Sequence, residues 1–441
     1  MESMTYVFRA IIGILGILGI AYSLSSDRRK VNWRVVGGGS TLQVLIAAGV
    51  LLVPEVKALF GFIAQMFKVA LDISVKAAGF LFGPLSDFGK MADVFGSNNG
   101  FVFAFMALPS ILFFSALSSL LYYFGVLQFV VKKMAWVMSR VMRLSGAESL
   151  AAAANVFVGQ TEAPLVVKPY IPKMTRSEIL ALMVGGMATI AGSVFAIYMG
   201  MLGGSNEASR LAFGKFLLCA SAMNAPAALL LAKILMPEEE SVNTEIKVSQ
   251  QSMGRNPIDA LANGTTQGLK LALNVGAMLI SFYALILLIN YALAYLGTFS
   301  IGDGGNLNQW VASATDGGFE KLSLQAIFGF IFAPIAWLIG ISSGEVLKVG
   351  QLIGTKLFAT EFFAFADLAK YKEEGMSLRS VYLATFALCG FANFMSIGIQ
   401  IGGIGAIAEN RRSELAKLGL KALIGGTLAS LLSATIAGFF L

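Results

Sequence analysis

The stretch 151–164, AAAANVFVGQTEAP, joins an apolar segment of small residues to an abrupt polar turn. Its apolar arm, 148–158, is far shorter than the ~20 residues that a helix needs to cross the hydrocarbon core of a membrane. We therefore predict that this arm is half of a re-entrant hairpin with Glu162 at the tip. Because an ionisable residue is costly at membrane depth, Glu162 is a candidate functional residue. In the alternative interpretation, Glu162 lies in a cytoplasmic loop after a short helix.

The composition indicates a polytopic helical membrane protein. Hydrophobic residues make up 57% of the 441 residues and charged residues 13%, and the mean hydropathy is +0.76. This is too apolar for a soluble globular protein, and the long apolar runs differ from the alternating pattern of a membrane barrel. The absence of histidine excludes sites built on imidazole, and two cysteines in apolar segments predict no disulfide framework. The net charge of +7 is too dispersed to indicate binding to nucleic acid.

Apolar segments and the positive-inside rule predict eight transmembrane helices with both termini outside. The spans are predicted at 6–24, 37–53, 101–131, 179–202, 211–235, 269–296, 378–407 and 415–441. Charged residues recur through 55–96, which favours helices that lie along the outer interface. The polar segment 237–259 is predicted to be a flexible cytoplasmic loop, and 297–318, which has no Lys or Arg, an external loop.

A second hairpin is predicted at 322–365, with Glu345 at its tip in the sequence SSGEVLK. Each hairpin precedes two spans, and the two hairpins are predicted to enter the membrane from opposite sides. Residues 186–190, GMATI, and 390–394, GFANF, occupy matching positions in the span after each hairpin. Interrupted apolar segments at matching positions of inverted halves are typical of transporters with a site near the midplane. We therefore predict an all-α polytopic membrane protein with two re-entrant helical hairpins, interfacial helices and an inverted repeat.

Polar groups at the hairpin tips and near the matching pentapeptides predict a binding site. The Thr189 hydroxyl and the carbonyl oxygens at 155–158 suit a hard monovalent cation such as Na⁺. Gln160 offers two donors and an acceptor to an amide or to the edge of a nucleobase. Glu162 and Glu345 can accept hydrogen bonds from hydroxyls or amines.

The second half adds polar and apolar groups to this site. Asn393 and Ser396 are three residues apart and therefore share a helix face. Phe391, together with Val194 from the first half, offers apolar surface for a flat group.

Three motifs resemble the signatures of the concentrative nucleoside transporter family: GQTEAPLVV at 159–167, ALNVGAML at 272–279 and ALCGFANFMSIGI at 387–399. The likeness covers nearly the whole chain in the same order. It implies a transporter of the bacterial inner membrane that imports nucleosides by symport with a cation, with sodium favoured, through alternating access. It also implies a homotrimer in the lipid bilayer, in which a scaffold surrounds a mobile transport domain.

The same resemblance implies roles for individual residues and segments. The base contacts would be Gly159, Gln160, Thr161, Glu162 and Val194. The ribose contacts would be Glu345, Asn393 and Ser396, with Phe391 lining the pocket. The sodium ligands would be Asn155, Val158, Thr189 and Ile190. The scaffold would comprise 1–135 and 266–300, the two halves of the transport domain 136–235 and 320–441, and a cytoplasmic loop with an interfacial helix 236–265.

Other functions fit the same residues less well. A channel needs a continuous polar lining, whereas the polar residues here concentrate at one depth. An intramembrane enzyme would need a nucleophile, a histidine or metal-ligand spacing beside Glu162 and Glu345. Among transporters, a carrier of amino acids or dicarboxylates is the closer alternative, and two carboxylates at the site disfavour an anionic substrate. A proton-coupled nucleoside carrier, or a carrier of another small polar solute, is the remaining alternative.

Overall fold

The computed structural model describes residues 2–95, 102–204, 206–240, 254–300, 305–315 and 317–441. In these ranges the regular elements are helices, with one isolated β-bridge between Ser300 and Asn306. The twenty α-helices in these ranges are α1 (Glu2–Ser23), α2 (Trp33–Leu52), α3 (Pro54–Phe82), α4 (Phe88–Phe95), α5 (Phe103–Met106), α6 (Leu108–Tyr123), α7 (Val126–Met142), α8 (Gly146–Asn155), α9 (Ala163–Val166), α10 (Arg176–Ala188), α11 (Gly192–Gly203), α12 (Glu207–Leu235), α13 (Pro257–Leu296), α14 (Leu307–Ala314), α15 (Leu324–Leu338), α16 (Val346–Phe358), α17 (Glu361–Glu373), α18 (Leu378–Leu388), α19 (Phe394–Ile407) and α20 (Arg412–Ala437).

By length and composition, six helical runs among the described residues are able to cross a membrane. They are Trp33–Leu52, Pro54–Phe95, Phe103–Tyr123, Glu207–Leu235, Pro257–Leu296 and Glu409–Ala437. Five of them match predicted spans, and α1 matches the first predicted span with a shorter apolar part, Val7–Ser23. The run Pro54–Phe95 falls where interfacial helices are predicted. The all-helical, multi-pass class is confirmed, and the number of spans stays a prediction.

The third predicted span differs from the observed helices. The sequence predicts one continuous crossing at 101–131, but α6 ends at Tyr123 and α7 begins at Val126. Gly125 between them has φ +79°, a left-handed conformation that glycine adopts without strain. The chain therefore turns here, and the basic residues Lys132 and Lys133 belong to a separate helix that packs against α2 and α8.

The fourth and seventh predicted spans are each divided into two helices. The first break, residues 189–191, separates α10 from α11, and the second break, residues 389–393, separates α18 from α19. The two breaks touch, because a Cβ on Gly390 would collide with the carbonyl oxygen of Ala188. Gly390 also has φ +136°, which side chains other than that of glycine rarely adopt.

Two pairs of consecutive helices pack against each other within the segments for which hairpins are predicted. The first hairpin comprises α8, turns at 156–162 and the short helix α9, so its second arm has far less regular structure than its first. The second hairpin comprises α15 and α16, which approach closely where Gly350 faces the backbone of α15 at Gly329. The position of both hairpins relative to a membrane stays a prediction.

A buried ion pair fastens the first hairpin to α12. Ser145 and Glu148 form a capping box at the start of α8, in which each side chain bonds the backbone N–H of the other residue. The other oxygen of Glu148 lies 2.9 Å from Nζ of Lys233 on α12. Lys233 also pairs with Glu238 at 3.0 Å, just beyond the end of α12. These contacts fix where the first hairpin begins.

Burial is concentrated on two helices. α12 is mostly buried from Phe213 to its end, and it packs against α2, α10, α11, α18 and α20. α20 is buried over most of its length and contacts α10, α18 and α19. In contrast, α13 exposes most of its apolar length. The core therefore sits around α12 and α20, beside both breaks.

Two predicted loops are described in part. Of the predicted cytoplasmic loop 237–259, residues 241–253 lie outside the described residues. Of the predicted external loop 297–318, residues 301–304 and 316 lie outside them, and the remainder contains α14.

Candidate functional site

The tip of the first hairpin presents Glu162 to two neighbouring clefts. Oε2 of Glu162 accepts a hydrogen bond from the backbone N–H of Gly159 at 3.1 Å, which closes the turn. One small cleft is lined by Glu162, Tyr122 and Gln128 among mainly apolar side chains, and the other by Glu162, Tyr122 and Gln267. The second cleft also has three serines of α6 in its wall, Ser115, Ser118 and Ser119. Glu162 therefore borders two clefts whose walls include polar residues of α6, α7 and α13.

Gln160 connects the first hairpin to α19. Its side chain is buried, its Nε2 donates to Oγ of Ser396 at 3.1 Å, and its Oε1 accepts from Nε2 of Gln400 at 3.1 Å. Gln400 also donates to the carbonyl oxygen of Met183 on α10 at 2.9 Å. The structure thus brings the predicted residues Gln160 and Ser396 together. The sequence analysis missed Gln400, although it lies four residues after Ser396 on the same helix face.

Asn393 pairs with a buried carboxylate that the sequence analysis missed. Oδ1 of Asn393 caps α19 by accepting from the backbone N–H of Ser396 at 2.8 Å, and its Nδ2 donates to Oε2 of Glu361 at 3.1 Å. Oε1 of Glu361 accepts from the hydroxyl of Tyr198 on α11 at 2.7 Å. Glu361 is 5% exposed and lies in the apolar sequence FATEFFAF. An ionisable residue within such a run was the available signal.

Glu345 lies elsewhere. Its carboxylate accepts hydrogen bonds from the hydroxyl of Ser342 and from the backbone N–H and hydroxyl of Ser377, each at 2.7 Å. Ser377 lies just before α18, whereas Asn393 lies beyond its other end. An 11-residue helix is roughly 16 Å long, so the length of α18 separates the two residues. The structure therefore does not bring Glu345 together with Asn393, and Glu361 is the carboxylate beside Asn393.

The four predicted sodium ligands lie where the first hairpin meets the first break. Asn155 is buried at the end of α8, and in the described part of the chain neither its amide oxygen nor its amide nitrogen has a hydrogen-bond partner. The Thr189 hydroxyl donates to the carbonyl oxygen of Gly185, and the Asn155 amide also lies against Gly185, because a Cβ there would meet Nδ2 of Asn155 at 3.2 Å. The backbone N–H of Gly192 donates to the carbonyl oxygen of Phe157 at 3.1 Å, so Val158 and Ile190 are held in adjoining segments.

The unpaired, buried amide oxygen of Asn155, in the region where the first hairpin meets the first break, offers a ligand for a cation. A buried polar group without a partner is rare in proteins and calls for an explanation, and broken helices offer carbonyl oxygens to Na⁺. Among the described residues no cluster of three or more His, Cys, Asp or Glu is present that would hold another metal ion. The donor set therefore fits Na⁺.

The remaining predicted site residues surround these clusters. Gly159 lies against Ala191, because a Cβ on Gly159 would meet the Ala191 side chain at 3.4 Å. Thr161 is exposed and lies against Gly403 of α19. Val194 is buried in the first turn of α11, and Phe391 is half-buried within the second break.

An all-helical, multi-pass protein in which hairpin tips and broken helices meet at buried polar clusters is a membrane transporter in class. Three family models match the chain: Na+ dependent nucleoside transporter N-terminus at 12–85, Nucleoside recognition at 104–205 and Na+ dependent nucleoside transporter C-terminus at 216–438. The chain belongs to the concentrative nucleoside transporter family, and it is a transporter and not an enzyme.

Relatives and solved structures match over almost the full length. An uncharacterized transporter of Haemophilus influenzae is 44% identical, over 99% of this chain and 98% of the relative. The nucleoside permease NupC of Helicobacter pylori is 36% identical, over 98% of this chain and 97% of the relative. The structure of CNTnw in an inward-facing substrate-bound state matches with a TM-score of 0.87 at 40% identity, covering 98% of this chain and 99% of that one.

Proposed function

We propose that this protein imports nucleosides by symport with sodium through alternating access. The observation that carries the proposal is the position of the first hairpin tip between two sites. On one side it adjoins the first break, through the bond between Gly192 and Phe157, and on the other side Gln160 bonds Ser396 of α19. One short segment therefore borders both the candidate cation site and the candidate nucleoside site. The sodium-dependent family models and the nucleoside permease among the relatives support both ligands.

Within the nucleoside site, we propose that the two halves of the chain bind different parts of the substrate. The first half would contact the base through Gly159, Gln160, Thr161, Glu162 and Val194. The second half would contact the sugar through Asn393 and Ser396, with Phe391 lining the pocket. Glu361 takes the place assigned to Glu345, because its carboxylate is buried and already bonded to Asn393. An anionic acceptor beside an amide suits vicinal hydroxyls.

The domain organisation is part of the same proposal. Residues 136–235 and 320–441 would be inverted halves of a transport domain, which is supported by a divided span at matching positions in each half. Residues 1–135 and 266–300 would form the scaffold, and 236–265 would connect the two units. The exposed apolar length of α13 suits contact with lipid or with other copies in a homotrimer. A bacterial inner membrane with both termini outside completes the proposal.

Uptake of labelled uridine into proteoliposomes tests this function. At fixed pH, an inward Na⁺ gradient should drive accumulation above the external concentration, and an inward choline gradient should not. Accumulation driven equally well in choline by an inward proton gradient would support the proton-coupled alternative. Failure to take up uridine, adenosine or any other nucleoside under either gradient would contradict the nucleoside assignment.

A further inference from the structure

Asn224, on the buried helix α12, joins the two breaks. Its Nδ2 donates one hydrogen bond to the carbonyl oxygen of Ala188 at 2.7 Å and another to the carbonyl oxygen of Cys389 at 2.8 Å. The side chain is fully buried. The amide orientation follows from this environment, because the reverse orientation would place an oxygen against two carbonyl oxygens. Ala188 immediately precedes the first break, and Cys389 begins the second.

Each break carries residues of one candidate site. The first break contains Thr189 and Ile190, two of the four candidate cation ligands, and the second contains Phe391 and Asn393 from the candidate sugar site. Asn224 bonds backbone carbonyl oxygens and is itself a ligand of neither site. It therefore differs from Gln160, whose removal would also delete a proposed contact to the nucleoside.

The local packing makes this link short and stiff. Gly390 lies against the carbonyl oxygen of Ala188, so that the two breaks are already in van der Waals contact where Asn224 bonds them. Ser221, one turn earlier on α12, donates to the carbonyl oxygen of Val156 at the first hairpin tip at 3.3 Å. In the described part of the chain the Oδ1 of Asn224 has no hydrogen-bond partner. An unpaired buried oxygen has a cost in free energy. The two hydrogen bonds that Nδ2 donates are therefore what justifies an asparagine at this position.

We propose that Asn224 is the positioning residue through which cation binding and nucleoside binding favour each other. The inference rests on the proposed function. A cation bound at Thr189 and Ile190 orders the first break, Asn224 holds Cys389 to that ordered backbone, and Asn393 is thereby set in its bonding position. A nucleoside bound at Asn393 orders the first break by the same route, since coupling between two sites is reciprocal.

The test is equilibrium binding of radiolabelled uridine to the purified full-length protein, in saturating Na⁺ and in choline at the same pH and ionic strength. The ratio of the two Kd values is the coupling factor, and we expect about 5- to 150-fold in the parent. In Asn224→Ala the factor should fall to below about 3-fold, because either ligand then orders only its own break. Should Asn224→Ala not give a monodisperse protein, Asn224→Ser, which retains a single donor, is measured in its place with the same expected fall.

Asn308→Ala is the matched control. Asn308 also makes two hydrogen bonds between separate segments, to the carbonyl oxygen of Ala294 and from the backbone N–H of Leu322, each 2.9 Å. Its loss should leave the coupling factor at the parent value even where the Tm falls. A parent-like factor in the Asn224 variant overturns this inference and leaves sodium coupling intact. A parent that binds uridine equally in Na⁺ and choline overturns sodium coupling itself, and one that binds no uridine overturns the nucleoside site.

Discussion

Glu361 receives hydrogen bonds from both halves of the chain. Tyr198 of α11 donates to one of its oxygens, and Asn393 of the second break donates to the other. An ionised carboxylate is acceptor-only and has two lone-pair sites on each oxygen, so it retains capacity for a ligand. Its burial strengthens any further bond, because the local dielectric is low. Glu361 is therefore well placed to discriminate between a hydroxyl and a hydrogen on the sugar.

Replacing Glu361 should remove that discrimination. We expect the parent to bind uridine more tightly than 2′,3′-dideoxyuridine by about 10- to 150-fold, which corresponds to about 1.5–3 kcal/mol for a hydrogen bond to a charged group. In Glu361→Gln most of this preference should vanish, whereas Glu345→Gln should retain it. Competition binding with both nucleosides measures the ratio. A preference that survives in the Glu361 variant and disappears in the Glu345 variant would return the sugar contact to Glu345.

Thr189→Ala should raise the Na⁺ concentration that gives half-maximal uridine uptake by about tenfold or more, the equivalent of about 1.4 kcal/mol. The substitution removes a hydroxyl oxygen from the candidate cation site. Thr435→Ala is the matched control, because Thr435 is also buried and also donates to the carbonyl oxygen four residues earlier, but within α20. Equal Na⁺ dependence in the Thr189 variant and its control would remove Thr189 from the cation site.

Some polar residues of the candidate site were predictable from the sequence, and one buried carboxylate, Glu361, was not. Gln160, Asn393 and Ser396 were predicted because each lies in a recognisable motif. Glu361 was passed over because its place beside Asn393 depends on how α16 turns into α17, which local pattern does not specify. Glu345 was chosen because it follows a polar turn, but that turn is bonded to the start of α18.

At the scale of elements, the contact between the two breaks requires a glycine at position 390. Gly390→Ala places a Cβ against the Ala188 carbonyl oxygen and forces a backbone conformation that alanine rarely adopts. We expect a loss of stability of about 1–3 kcal/mol or more, measured as a lower Tm of the purified protein. Gly398→Ala, in α19 with open space around it, is the control and should be neutral or stabilising by up to about 1 kcal/mol. Equal Tm values for the two variants would contradict the close contact between the two breaks.

The attachment of the first hairpin to α12 is a second prediction about elements. Lys233→Met leaves Glu148 buried without its partner, which should destabilise the protein by about 3–5 kcal/mol. Adding Glu148→Gln should recover much of this loss, because the second change removes the unpaired charge. Thermal unfolding of the parent, both single variants and the double variant measures the interaction. Additive effects of the two substitutions would show that the pair does not hold the hairpin.

The presence of long apolar helices was predictable from the sequence, whereas the breaks within them were not. Long apolar runs indicate helices, and α12 and α20 lie close to predicted spans, whereas α13 begins at Pro257, twelve residues before the span predicted at 269–296. The breaks at 189–191 and 389–393 lie inside apolar runs, and hydropathy is unchanged by a backbone that stops being helical. What permits them is an amide from another helix, Asn224, that satisfies the freed carbonyl oxygens. Such a partner is visible only once the helices are packed.

For the whole molecule, Na⁺ should act as a stabilising ligand. Binding to the folded state alone contributes about 2.7 kcal/mol at a concentration of 100 times Kd. The purified protein should therefore unfold at a higher temperature in Na⁺ than in choline of equal ionic strength, and added uridine should raise the Tm further in Na⁺ than in choline. Thr189→Ala should lose most of the Na⁺ effect. A Tm that is independent of the cation in the parent would contradict a sodium site.

The bond between Asn224 and Cys389 also has a consequence for how the protein is made. The two residues are 165 positions apart, and ribosomes add about 5–20 residues per second, so roughly 8–33 seconds separate their synthesis. During that interval the newly inserted α12 has no α18 or α20 to bury it, and the hydrogen bond from Asn224 to Cys389 has not yet formed. The amino-terminal half therefore completes its burial only after the carboxy-terminal half has been synthesised.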